Sequence, residues 1–452
     1  MTRVAVALVL AAAALGFARP AAADDWLPHP ADATWTYQWS DSAYNTTPTT
    51  EKVTVKSTKG SAFVLAWTTV DQGNPDDAPL SVGTVSFQET NSGLTNTDWS
   101  SNAPPPSFPV LCATTSQCGN SLASTYYNVI WGSRAPTLAE PLLKGLTWTS
   151  TGGAGGDVSS TNRYLGVETV TVPAFATPVV AAKIQSDITQ SGGALGDPYG
   201  SGVRTVWWVW GVGPVKIVFD HAGGSHAPVT TSELQSTTLT PQAPPPDANY
   251  FPLVKGKVLK YRWTNKRYLK QPEVQTITTA GVANGSAQFV VASVSGPIKV
   301  SAAYGYTLRL DGLTSIWATT KSQSLAKFPP LGPIALPKAK RRHFVTPFDL
   351  MNFGFNPILP AYATVGSTWA SDPSGRDFDI YGVTGTTKIA GIQSVTVPAG
   401  TFKALVVGST IKQPGFPFGS GTRTCWFAPD KGLVKLVFRH GDGSVSEVVL
   451  IK

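Results

Sequence analysis

"GSGVRTVWWVWGVGPVKIVFDH", residues Gly200 to His221, is followed 219 residues later by "GSGTRTCWFAPDKGLVKLVFRH", residues Gly419 to His440. In the first copy Val215, Ile217, Phe219 and His221 share one face, and Lys216, Val218 and Asp220 share the other. That is the two-residue period of a half-buried strand. Val434, Leu436, Phe438 and His440 repeat it in the second copy. One β-rich unit is therefore expected, written twice.

Matching blocks extend outward in a constant order. "WLPHPADATWTYQWSDSAY" (Trp26 to Tyr44) lies on "YFPLVKGKVLKYRWTNKRY" (Tyr250 to Tyr268) without a gap. "GLTNTDW" (Gly93 to Trp99) answers "GLTSIW" (Gly312 to Trp317), "GLTWTS" (Gly145 to Ser150) answers "GSTWAS" (Gly366 to Ser371), and "VTVPA" occurs at Val170 and again at Val395. "TPQAPPPDAN", Thr240 to Asn249, has the composition of a stiff, extended linker. The expected organisation is a signal segment over 1–23, a first domain over 24–239, the linker over 240–249 and a second domain over 250–452. Each domain is long enough to bury its own core.

The signal reading rests on Arg3, the apolar run Val4 to Phe17 and Ala21-Ala22-Ala23. It implies a secreted or envelope-associated protein that does not span a membrane. In such a compartment Cys112 and Cys118, with five residues between them in a Pro- and Ser-rich loop, suit a local disulfide. Cys425 stands where the first copy has Val206 and reads as a small buried hydrophobe.

The fold class expected is all-β with little helix: two duplicated domains, each a curved antiparallel sheet or half-open barrel. Gly- and Pro-rich turns support hairpins, as in "VPAG" (Val397 to Gly400) and "APDKG" (Ala428 to Gly432). Leu138 to Gly145 and Phe348 to Phe353 are the short helical candidates. "VTVPAGTF" followed by "WFAPDKGLVK" resembles the paired C-terminal motif of exported bacterial proteins of unknown function. These are similar in architecture to periplasmic lipoprotein carriers, and the resemblance implies a sheet wrapped round an apolar cavity. It implies no catalytic residues. The first copy departs from the motif with Ala174-Phe175 and with Trp208-Val209-Trp210.

No nucleophile elbow, phosphate loop, dinucleotide fingerprint or zinc-protease motif is present. His221 and His226 beside Asp220 suggest metal ligands, but the second copy offers only His440 beside Arg439, so structural histidines are the better reading. The acidic turns at 372–379 and 441–444 lack calcium-loop spacing. No catalytic residue, cofactor or metal is assigned.

In "TVWWVW", Trp207 points one way and Trp208 and Trp210 the other, so this strand needs cover on both faces. An apolar or amphipathic ligand inside a sheet would supply it, against Phe175, Trp208 and Trp210 in the first copy and Phe402, Trp426 and Phe427 in the second. Arg204, His221, Arg423 and His440 are the polar candidates nearby. Two alternatives stay open: a structural or interaction protein in which these rings are core, and an extracellular hydrolase with a dispersed site.

Charge separates the halves. Residues 24–249 carry 9 Lys and Arg against 18 Asp and Glu, net −9, and residues 250–452 carry 24 against 9, net +15. The opposite signs favour association across the linker. "KGKVLKYRWTNKRYLK" (Lys255 to Lys270) interleaves cations with aromatics. The partner this suggests for the basic half is an anionic envelope polymer or lipid headgroup rather than nucleic acid; the alternative is a solvated face, or one docked on the acidic first half.

Overall fold

The computed structural model describes residues 26–42, 45–71, 82–101, 134–152, 158–190, 200–222, 229–322, 328–332, 341–371 and 382–452. The signal segment, Cys112, Cys118 and His226 lie outside these residues.

Alternation of apolar and polar residues produces two antiparallel sheets, one of 13 strands and one of 11. The first runs from Thr34–Asp41 to Val229–Thr237, and these two strands pair with each other, joining both ends of the chain segment within one sheet. Arg134–Ala135 then pairs with one remaining edge, Thr147–Gly152, and Leu138–Ala139 with the other, Gly93–Ser101. A single short segment thus stitches both edges and nearly closes a barrel. The second sheet repeats the plan, with Val258–Thr264 paired to Val445–Leu450 and a bridge from Leu313 to Leu359 at the far edge.

The repeat holds at the level of hydrogen bonds. Tyr37 donates to the carbonyl of Pro214 at 2.8 Å, and Tyr261, 224 residues on, donates to that of Leu433 at 2.7 Å. Trp35, Trp39, Trp67 and Trp263 are among the largest fully buried side chains. Burying a side chain of this class contributes roughly 1.5–3 kcal/mol. The inner faces are therefore core.

Three details differ from the sequence reading. Leu138–Ala139 is strand, not helix, because its backbone pairs with Gly93 and Leu94 and Pro141 then blocks helical continuation. The "GLT" strands align residue for residue from Gly93 and Gly312, so Trp317 lies opposite Gly305 whereas Trp99 lies opposite Val85. The two tryptophans are one position apart and face opposite ways. The two VTVPA segments do start at equivalent pairs, Val170 with Val179 and Val395 with Phe402. Only the second closes tightly, since Gly400 at φ +136 adopts a conformation that Phe175 in its place would strain to reach.

The helix over Pro347–Asn352 is buried along its whole length. Thr346 and Asp349 form its capping box, and Phe348 packs against Phe251, Tyr261, Phe289, Tyr304 and Tyr306. The second sheet is filled by its own helix. No helix among the described residues is long and apolar enough to cross a membrane.

The halves meet at Tyr362. Its hydroxyl accepts from the Leu142 amide at 2.9 Å, and its ring lies edge-on to Trp210 at 6.2 Å, beside Trp26. Leu310 N–H donates to the carbonyl of Asn91 at 2.9 Å. Among the described residues no ion pair joins the halves, and the contact at Tyr362 is made by rings and hydrogen bonds. Small-angle scattering should give one radius of gyration from low to high salt, and Tyr362→Ala should enlarge it. Salt-dependent separation of the wild type would restore the charge explanation.

Candidate functional site

The sheet inner faces collect the polar candidates into two equivalent lines. In the first copy Thr230 donates to Asp41 Oδ2 at 2.8 Å. Its one hydroxyl proton is then used, so His221 Nε2, 2.7 Å away, must be the donor to Thr230. In the second copy Asn265 replaces Asp41 and donates to Ser446 Oγ at 3.1 Å, while His440 Nδ1 lies 2.6 Å from the Phe418 carbonyl. Nδ1 therefore carries the proton and Nε2 accepts from Ser446 at 2.9 Å. The change from Asp41 to Asn265 thus reverses the direction of the histidine–hydroxyl hydrogen bond. Thr230 and Ser446 are fully buried, so neither line presents a nucleophile to solvent.

Burial pushes the His440 imidazole down to about 4, against the opposing Phe418 carbonyl and Asp442. A depressed folded value contributes stability that is present above the unfolded value near 6.5 and lost as pH falls through about 4. The shift corresponds to at most about 3 kcal/mol. His440→Gln should remove this acid sensitivity. Denaturant melts of both proteins between pH 7 and 4 test it, and parallel curves would contradict it.

Arg204 and Arg423 occupy matching positions, each 3% exposed and cross-strand from Ser186 and Ser409. Arg423 donates to the carbonyls of Leu350 and Phe353, both at 2.8 Å, at the C-terminal end of the buried helix. Its place is structural. Cys425 is buried as a small hydrophobe, with its thiol pushed up to about 11.

Trp208, Trp210 and Phe427 belong to the core clusters, while Phe175, Phe402 and Trp426 are half-buried and pack against them. Trp207 and Trp426 are the outward pair. Trp207 is covered by Lys183 and donates to Glu168, and Trp426 is covered by Lys435. The outer cover that the double-faced tryptophans demanded is made by charged side chains.

The outer faces are where the copies diverge chemically. In the first, Lys216 pairs with Glu233 at 2.6 Å, Lys183 with Glu168 at 3.2 Å and Arg163 with Asp187 at 2.6 Å. Among the described residues the second sheet keeps none of these pairs at its own positions: Val449 stands where Glu233 does, and Lys435 pairs at 3.0 Å with Glu447, which stands at the position of Thr231. The ladders place Lys388 at the position of Arg163, but Thr410 at that of its partner Asp187. Arg439 stands at the position of Asp220, Arg262 at that of Gln38 and Lys260 at that of Thr36. Among the described residues no carboxylate lies within ion-pair distance of Lys260, Arg262, Lys388 or Arg439. A groove of about 270 Å3 opens on this face, lined by Arg262, Thr264, Pro272, Glu447 and Val449.

The sequence reading saw cations interleaved with aromatics in this segment. The pleat separates them: Tyr261 and Trp263 are wholly buried on the inner face, and Lys260 and Arg262 point out. Period 2 along "VLKYRWT" was the signal for that split.

No family profile and no curated protein matches the chain. Among solved structures, a protein assigned as a lipoprotein from Parabacteroides distasonis aligns with TM-score 0.26 and 12% identity, over 47% of this chain and 98% of that one. A protein assigned as exported, with a YmcC-like fold, from Bacteroides fragilis gives 0.24 and 12%, over 47% and 99%. The MucA/MucB complex of Pseudomonas aeruginosa gives 0.18 and 10%, over 65% and 89%. Likenesses this distant carry no functional argument.

Proposed function

We propose that the chain is an extracytoplasmic interaction protein that engages an anionic polymer through the outer sheet face of its second half. One observation carries this reading: among the described residues Lys260, Arg262, Lys388 and Arg439 on that face form no ion pair, Glu447 beside Arg262 being paired with Lys435, whereas the equivalent face of the first half neutralises Lys183, Lys216 and Arg163 one by one. Unneutralised cations on a sheet raise the local concentration of a polyanion and steer its approach. The groove beside Arg262 gives a bound anionic group a place to sit. An apolar ligand inside the second sheet is the weaker reading, since it would have to displace the helix and its five ring contacts.

The test is binding of labelled inorganic polyphosphate at low salt. Lys260→Glu with Arg262→Glu should weaken it at least about tenfold, and Lys52→Glu, an exposed cation of the first sheet, should leave it unchanged. Equal losses from both, or no loss from the pair, would remove the proposal.

A further inference from the structure

The same outer face carries a feature that charge does not explain. Trp317 lies directly over Gly305, its cross-strand partner: a Cβ on Gly305 would come 2.2 Å from the indole Nε1 and 2.5 Å from Cε2. Only glycine lets the ring lie down on the sheet. Its outward side remains 41% exposed. The first copy has Ser86 and Asp98 at these two positions, so the platform belongs to the second half alone.

Cross-strand pairing lays out what surrounds the ring. Trp317 and Gly305 continue to Gln288 in one row. The next row is Thr319, Ala303, Val290, Thr278 and Val258, and the third is Lys321, Ser301, Ala292, Thr276 and Lys260. Within these rows the side chains are short, hydroxyl, amide and aliphatic, with Val290 and Val258 exposed, and the only charges are the two cations ending the third row. Strands about 4.8 Å apart set the pitch of that surface.

We infer that this face binds an acidic polysaccharide, with Trp317 stacking on a sugar ring and Lys321 and Lys260 receiving carboxylates further along the chain. This rests on the anionic-polymer reading and names the polymer's class. The electron-rich face of an indole attracts the weakly positive C–H groups of a pyranose. The hydroxyl and amide groups beside it match sugar hydroxyls, and the cations match uronate carboxylates. A protein partner would instead be anchored by large side chains in recessed, well-packed pockets, which these rows of short side chains do not build.

The experiment compares binding of an oligogalacturonate and of inorganic polyphosphate to the full-length protein. Trp317→Ala and Trp317→Leu should each weaken the oligogalacturonate at least about fivefold, the low end for one stacking contact, and leave polyphosphate within twofold. Leu keeps cover over Gly305 and guards against a simple folding defect, while Trp317→Tyr should retain most of the sugar affinity. Lys260→Glu with Arg262→Glu should weaken both ligands. Polyphosphate binding without oligogalacturonate binding overturns the sugar assignment and leaves the broader reading standing, whereas failure of both ligands overturns both. Equal losses for both ligands in the Trp317 variants, or single-stranded DNA bound as well as the sugar and equally Trp317-dependent, would also overturn it.

Discussion

Arg423→Ala should lower the stability of the second half by about 3–5 kcal/mol. Among the described residues the guanidinium is the side-chain donor to two buried carbonyls, Leu350 and Phe353, at the end of a six-residue helix with no basic residue in its own last turn. Truncation leaves both carbonyls without that partner, and each unsatisfied buried acceptor costs about 1–3 kcal/mol. Phe355, 5.3 Å from the guanidinium carbon, would lose its cation as well. Arg423→Lys keeps the charge but not the fork, so it should recover only part of the loss. Calorimetry resolves the difference, and a loss under about 1 kcal/mol for the alanine variant would show that the helix end does not depend on this side chain.

Asp349→Ala is the second large effect, about 3–4 kcal/mol, because it empties the middle of a buried network. Asp349 Oδ2 accepts from the amides of Val345 at 2.8 Å and Thr346 at 3.1 Å, and Oδ1 accepts from the Tyr304 hydroxyl. Asp349→Asn should cost less. Its one carbonyl oxygen can serve both amides, and Tyr304 can turn its proton to Thr346 Oγ1, 2.7 Å away. Burial pushes the Asp349 carboxyl up to about 6. A raised folded value means a contribution fully present below the unfolded value near 3.8 and lost as pH rises through about 6. The wild-type advantage over Asp349→Asn should therefore shrink between pH 4 and 8. An advantage that grows with pH would mean that the carboxylate is held ionised by its donors instead.

The duplication, the period-2 strands and the inward histidines were legible because they rest on local alternation, which the pleat enforces. His221 and His440 do sit on the apolar face with Phe219 and Phe438, stacked at 4.1 and 4.2 Å. The direction of their hydroxyl hydrogen bonds was not legible, because Asp41 and Asn265 are 180 and 175 residues away in sequence and join only through sheet closure. The role of Arg423 was hidden for the same reason, since its partners lie some 70 residues upstream on a helix that alternation alone does not place. The outer cations were visible in composition as +15, but not as an unpaired face. That needed the ladder register, which sets Lys388 against Thr410 where Arg163 had Asp187.

The central claim is that unneutralised cations on the second sheet hold an anionic polymer, and salt is its most direct measure. Titrating polyphosphate onto the wild-type protein at salt concentrations from about 20 to about 200 mM should lower the affinity at least about sixtyfold, as release of two or more counterions requires. The Lys260→Glu, Arg262→Glu protein should show a shallower dependence from a weaker start. An affinity that stays flat across that range in the wild type would contradict the account.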